Sequence, residues 1–64
     1  MKQDCIKAET EGKGFYKSQP EATHKQAEKY ARNNYNSGLL QDCFVAGYNM
    51  AKWDAIAEQL KNAK

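Results

Sequence analysis

The side chains best suited to nucleophilic or metal chemistry are the two cysteines, Cys5 and Cys43, and the single histidine, His24. A thiolate beside an imidazole can attack a substrate when a third group orients the base. Cysteine and histidine also bind zinc, but a zinc site needs closely spaced ligand pairs, and these three residues are scattered along the chain. We therefore predict no metal site and no cofactor.

Acid–base catalysis has few candidate groups in this chain. His24 falls between Thr23 and Lys25 on a face that we expect to be exposed, and Cys43 falls within an apolar pattern. A general acid or base needs a positioned titratable group in a pocket, and 64 residues leave little room to build one. We predict that the protein is not an enzyme and acts by binding.

Charge and hydropathy narrow the choice of partners. Ten lysines and arginines against eight acidic residues give a net charge of +2. This is well below the positive charge expected of a dedicated nucleic-acid-binding protein. No stretch approaches the roughly twenty apolar residues that cross a bilayer. The polar start of the chain is unlike a signal peptide, so we expect a cytoplasmic protein with reduced thiols. A disulfide between Cys5 and Cys43 is the alternative.

Two other binding chemistries stay open beside protein binding. Basic and aromatic residues are interleaved at residues 13–17, which is typical of proteins that bind single-stranded nucleic acid. Further along the chain, tyrosines and an arginine could stack on and pair with a nucleotide-like molecule, for which an oligomer would supply a concave site. The candidate residues for these two functions are Lys13, Phe15, Tyr16, Lys17, Tyr30, Arg32 and Tyr35.

Capping and turn signals predict one all-α domain over residues 1–64. Ser18-Gln19-Pro20-Glu21 has the pattern of a capping box with proline in the first turn, so we predict a helix over 19–35. Asn33–Gly38 is rich in residues that end helices, and a second helix follows over 39–62. Because the connection is short, we expect the two helices to form an antiparallel hairpin.

The N-terminal segment adds a shorter element. Residues 2–10 predict a short helix that Gly12-Lys13-Gly14 terminates as a turn. A helix of that length is not stable alone in water, so we expect it to fold back onto the hairpin. A chain of this size buries only about 60% of its unfolded surface, and we expect oligomerisation to supply further burial.

The 39–62 helix has two adjoining apolar stripes. Intervals of four and three residues predict an apolar stripe along one face of the helix, here called the seam, at Leu39, Cys43, Ala46, Met50, Trp53, Ala57 and Leu60. A second stripe lies beside it at Leu40, Phe44, Gly47 and Ala51. A mid-helix glycine costs about 1 kcal/mol, so we expect the 19–35 helix to approach Gly47 closely near Ala27 and Ala31. A dimer contact or room for a flat ligand is the alternative.

The 19–35 helix is too short to cover the whole seam, and we expect it to end near Ala51. The N-terminal segment, with Ile6, Phe15 and Tyr16, and a second protein molecule could each cover the rest, and we expect both to do so. Tryptophan and tyrosine are enriched in protein interfaces. We therefore predict an interface for a homo-oligomer and for a foreign protein partner, formed by Tyr48, Met50, Trp53, Ile56 and Leu60.

Two segments of the chain resemble a known pattern. Ala27-Glu28-Lys29-Tyr30-Ala31 and Phe44-Val45-Ala46-Gly47-Tyr48 are similar to the "Ala-x-x-Tyr-Ala" and "Phe-x-Ala-Gly" helices of small, mostly uncharacterised proteins of bacteriophages and mobile elements. The resemblance covers about half of the chain, from 27 to 53, and residues 1–18 do not match it. It implies a phage accessory protein that binds and inhibits a host component, such as a defence protein, inside a bacterial cell. It implies no catalytic residues.

Overall fold

Three helices make up the protein. A computed structural model describes residues 2–62 as α1 (Lys2–Ser18), α2 (His24–Asn34) and α3 (Gly38–Asn62). Residues 1, 63 and 64, which the predicted domain includes, lie outside the described residues, as do the side chains of residues 2, 3 and 62. The all-α class is confirmed. Both α1 and α2 pack against α3, which is the central helix.

The first helix is much longer than predicted. It continues through Gly12 and Gly14 to Ser18, so the prediction of a helix over 2–10 that ends at a glycine turn was wrong. The physical reason lies in the packing of Gly12, which is buried. A Cβ atom added to Gly12 would lie 2.8 Å from the Tyr48 backbone nitrogen. The local cost of this glycine is therefore offset by close contact with α3.

Backbone contact between α1 and α3 also involves Gly47. A Cβ atom there would lie 2.6 Å from the Glu9 carbonyl carbon, and Ala8 and Ala51 are buried beside this crossing. The expected close approach to Gly47 is present, but the approaching helix is α1 and not the one that contains Ala27. Small side chains on both helices permit this short distance between the two backbones.

A disulfide joins the same two helices. Cys5 is bonded to Cys43, with Cα atoms 5.5 Å apart, as is usual for a disulfide. The expectation of two free thiols was therefore wrong. The reason is the extended α1, which runs in the same direction as α3 and places Cys5 beside Cys43, 38 residues further along the chain.

The start of α2 also differs from the prediction. Thr23 is the N-cap: its side chain accepts a hydrogen bond from the Gln26 nitrogen at 3.2 Å, and the Thr23 nitrogen donates to Gln26 Oε1 at 2.9 Å. The capping box predicted at Ser18 was wrong because Ser18 is the last residue of α1. Residues 19–22 are needed to connect α1 with α2. The predicted end of this helix, near residue 34, is confirmed.

The hairpin of α2 and α3 is antiparallel. Near one end, the Tyr48 hydroxyl donates to the Ala22 carbonyl oxygen at 2.6 Å. Near the other end, Gln41 Nε2 donates to the Tyr35 carbonyl oxygen at 2.8 Å. The bounds of α3 agree with the predicted 39–62 to within one residue. No helix within residues 2–62 is long and apolar enough to span a membrane.

The core lies on the second stripe of α3. Phe44 and Tyr48 are its largest fully buried side chains. Ala27 and Ala31 of α2 and Ala8 of α1 pack around them. We expected α2 to cover the seam from Leu39 to about Ala51, and this was wrong at Leu39, Ala46 and Met50, which are exposed. The reason is that α1 and α2 pack on the side of α3 beside the seam.

Candidate binding surface

One face of α3 is left uncovered by the rest of the fold. Its large side chains are highly exposed: Leu39 by 64%, Met50 by 42%, Trp53 by 68% and Leu60 by 74%. We call this surface the outer face, and it consists of the seam without its cysteine: Leu39, Ala46, Met50, Trp53, Ala57 and Leu60. All six residues are exposed to solvent. At 1.5 Å per residue the outer face is roughly 32 Å long.

The outer face is exposed because two helices cannot surround the third. α1 occupies the side of α3 that carries Gly47, and α2 occupies the side that includes Tyr48. The remaining side has no helix against it among residues 2–62. The predicted covering of this side by Phe15 and Tyr16 is not observed, since both rings pack on the core instead.

The residues predicted as a protein interface differ in burial and fall into three groups. Met50, Trp53 and Leu60 lie on the outer face, and Ile56 is half-buried. Tyr48 is fully buried, so this residue belongs to the core and is removed from the candidate interface. Its position was misjudged because the structure buries the stripe next to the seam.

Three outer-face residues were missing from the predicted interface: Leu39, Ala46 and Ala57. Their spacing had already placed them on the seam. Leu39 and Ala46 were left out because we expected α2 to cover the seam as far as Ala51. Ala57 was expected beyond that point but was not included among the interface residues. The three–four spacing was thus a sufficient signal for the surface, but it did not show which stripe would be covered.

The predicted ligand-binding aromatic residues pack largely against one another. The Phe15 ring centroid lies 5.0 Å from that of Tyr30 and 5.6 Å from that of Phe44. Tyr16 lies 5.7 Å from Tyr48, and Tyr30 stacks on Phe44 at 5.2 Å. These rings hold α1 and α2 against α3. Tyr30 is the one that keeps substantial exposure, at 43%.

Two tyrosine hydroxyls are held in the protonated form. The Tyr35 hydroxyl donates to the Glu11 carboxylate, and burial together with that carboxylate raises the pKa of Tyr35. Burial also raises the pKa of Tyr48, with a smaller contribution from Tyr16. Both hydroxyls make structural hydrogen bonds, Tyr35 with α1 and Tyr48 with the connection before α2.

The basic residues proposed to bind phosphate lie on two separate surfaces. Lys13 and Lys17 line a groove of about 400 Å³ between α1 and α3, whose other wall contains Asp54 and Glu58. Those two carboxylates would repel a phosphate group. The groove therefore has two groups of each charge and is not the uniformly basic surface that a nucleic acid requires.

The second basic surface lies on α2. Lys25, Lys29 and Arg32 line a shallow groove of about 500 Å³ together with Glu28. The Glu28 carboxylate lies 2.6 Å from His24 Nε2 and 4.0 Å from Arg32. Arg32 thus faces solvent with one carboxylate nearby, and it is on a different helix from Lys13 and Lys17.

The groups considered for catalysis are occupied by structural contacts. Cys5 and Cys43 are bonded to each other, and His24 pairs with Glu28. Within the described part of the chain, no group of three or more His, Cys, Asp or Glu residues is placed to hold a metal ion. The outer face is therefore the feature of the molecule that calls for a functional explanation.

Comparison with protein-family models, with curated proteins and with solved structures finds no match for this chain. The resemblance to small phage proteins accordingly stays a prediction.

Proposed function

We propose that this protein acts without catalysis, by binding another protein through the outer face of α3. In this proposal it is a phage-type accessory protein, and the foreign partner is a bacterial host protein, such as a defence component, that it inhibits. The supporting observation is the exposure of Trp53 by 68% and Leu60 by 74% on one continuous helix face.

Elementary energetics supports this use of the face. Large apolar side chains grouped on one exposed surface typically mark a contact site, and tryptophan is strongly enriched among the residues that dominate binding energy. Recognition of one helix by a groove in a partner uses side chains three, four and seven residues apart. Met50, Trp53 and Ala57 have this spacing.

The proposed place of action is the cytoplasm of the host bacterium, and the Cys5–Cys43 disulfide weighs against it. Disulfides persist in oxidising compartments and are rare where glutathione and thioredoxin keep thiols reduced. Trapping the thiols with a maleimide in acid-quenched cells measures which state is present. Two labelled cysteines per chain would support the cytoplasm, and unlabelled cysteines would place the protein in an oxidising compartment.

A photo-crosslinking amino acid in place of Ala57 tests the proposed function directly. Ala57 is exposed on the outer face, and Asn33, exposed on α2, is the matched control position. In bacteria that produce the protein, we expect the Ala57 position to form one discrete adduct with a foreign protein, and the Asn33 position to form none. Equal adduct patterns from both positions, or no foreign adduct from either, would contradict the proposal.

A second candidate function is the binding of a phosphate-bearing ligand, either a signalling nucleotide or single-stranded nucleic acid. The observation that favours it is the exposed cationic edge of Lys25, Lys29 and Arg32 on α2. Contacts with phosphates weaken steeply as salt rises. Titration with a labelled oligonucleotide and with a dinucleotide at two salt concentrations tests this candidate, and the absence of salt-dependent binding would remove it.

A further inference from the structure

We infer that the outer face is occupied, in the isolated protein, by the outer face of a second copy packed antiparallel. The inference rests on the proposed function, because it names a partner for the same surface. Three observations support it: the total exposed area of the chain, the spacing of the outer-face residues, and the alternation of large and small side chains along that face.

The chain exposes more surface than a compact monomer of its size. A folded monomer of 7.3 kDa is expected to expose about 4,200 Å². This chain exposes 5098 Å², an excess of roughly 900 Å² over that expectation. One partner in a standard protein interface buries about 800 Å². The excess is thus the area that one such interface would remove from solvent.

The spacing of the outer face suits another helix better than it suits an irregular surface. Its positions follow intervals of three and four over three heptads from Leu39 to Leu60, with Cys43 completing the series. Such a series keeps one side of a helix in contact with a second helix along its whole length. A second α3 has the same spacing and the same length, so each copy can cover the face of the other.

The order of large and small residues selects the antiparallel arrangement. If α3 meets a reversed copy centred near residue 48, Leu39 faces the Ala57 position of the other copy and Ala46 faces the Met50 position. Each of these layers combines a large residue with a small one, which packs evenly. Leu60 lies beyond the last layer, because position 36 of the other copy precedes α3. A parallel arrangement in register would instead place Trp53 against Trp53 and Ala46 against Ala46. The two tryptophans would overfill their layer, and the two alanines would leave a cavity in theirs.

The same arrangement explains the exposure of Ile6. Trp53 would face the Cys43 position of the other copy, where the disulfide links α3 to the start of α1. Ile6 follows Cys5 on α1 and is 61% exposed. The tryptophan of one copy would therefore cover the disulfide and the neighbouring isoleucine of the other.

Trp53 is the only tryptophan of the chain, so its fluorescence reports directly on this contact. We expect its emission maximum to shift to shorter wavelength as the protein concentration rises, in parallel with the change from monomer to dimer in analytical ultracentrifugation.

Met50→Glu should raise the dimer dissociation constant at least about a hundredfold, because each interface would bury two uncompensated charges. Gln59→Glu, an exposed α3 position off the outer face, is the matched control and should leave dimerisation unchanged.

A photo-crosslinker at Ala57 of the purified protein tests the orientation. Peptide mapping of the dimer should find it joined near Leu39, whereas a join near Ala57 would show a parallel dimer and overturn the antiparallel arrangement. A protein that stays monomeric at all concentrations, or a dimer equally sensitive to both charge variants, would overturn the inference entirely. The proposed function would survive that result if the crosslinks to a foreign protein in cells were still found, so the two failures are distinguishable.

Discussion

The two sides of α3 are similarly apolar in sequence, but the structure uses them in opposite ways. The inner side contains Phe44, Gly47 and Tyr48, all fully or nearly fully buried. The outer face contains Met50 and Trp53, both exposed. The difference follows from what each side offers a neighbouring helix: Gly47 admits the α1 backbone at close range, and Phe44 and Tyr48 pack in the core with Ala27 and Ala31 of α2.

The two sides of α3 should also contribute differently to stability and to binding. An apolar stripe on a helix normally faces a core, and here the fold buries only one side of the apolar band of α3. Changes to the inner side should therefore alter the free energy of unfolding, whereas changes to the outer face should alter association.

Removal of the disulfide should lower the free energy of unfolding more than any other change predicted here. Closing a loop between residues 38 apart stabilises a protein by about 4 kcal/mol in the chain-entropy description. We expect the Cys5→Ser, Cys43→Ser double variant to lose about that much free energy of unfolding, measured by urea denaturation at low protein concentration. A loss below about 1 kcal/mol would show that the α1–α3 contact holds without the crosslink.

Gly47→Ala should produce the next largest effect. The added Cβ would lie 2.6 Å from the Glu9 carbonyl carbon, and backbone atoms cannot move away as a flexible side chain can. We expect a loss of about 1–3 kcal/mol from overpacking, despite the better helix propensity of alanine.

Gly14→Ala is the matched control for that change. Gly14 is also in mid-helix, but no atom lies within 4 Å of the position of its added Cβ. We expect this variant to gain up to about 1 kcal/mol in thermal or urea unfolding. If both variants shifted stability in the same direction, the close contact between α1 and α3 would be contradicted.

Tyr48→Phe should lower the free energy of unfolding by about 1 kcal/mol, because the Ala22 carbonyl oxygen loses its hydrogen-bond donor.

The pH dependence of stability gives a second measurement of the role of Tyr48. Burial raises the pKa of Tyr48 above its ordinary value of 10.0, so above that pH the unfolded chain loses the phenolic proton before the folded chain does. Stability should therefore be unaffected by this group below pH 10 and should fall as pH rises further. A Tyr48→Phe variant that showed the full alkaline loss would contradict this account of Tyr48.

Trp53→Ala should change the stability of the monomer least. The ring is 68% exposed, and substitutions at such positions usually shift the free energy of unfolding by no more than about 0.5 kcal/mol. Its effect should appear in association instead. A large loss of stability measured at concentrations below those of dimerisation would show that Trp53 is buried within one chain.

Much of α2 and α3 could be predicted from the sequence because local signals determine their ends. The asparagine-rich segment Asn33–Gly38 ends one helix and precedes the next, and its turn chemistry needs no tertiary contact. The α1 helix could not be predicted in the same way. Gly12 disfavours a helix locally, and only its contact with α3, more than thirty positions away in the chain, reverses that preference.

The residues of the candidate surface could be predicted from the sequence. Which of the two stripes of α3 would be covered by the other helices of the same chain could not. The spacing through Met50, Trp53 and Leu60 identified a face that something must cover. Which stripe α1 and α2 would choose depended on Gly47 meeting the Glu9 backbone, a contact between elements that no local pattern shows. For the same reason Tyr48, one position from Gly47, was assigned to the surface although it lies in the core.

Native mass spectrometry of the protein and of Trp53→Ala, both purified gently from producing cells, tests the central claim most directly. The account predicts that the unaltered protein is found in an assembly, either with a second copy or with a foreign protein, and that Trp53→Ala is found as a folded monomer. Bare monomers for both proteins, or assemblies of equal mass and abundance, would show that the outer face of α3 is not the contact surface.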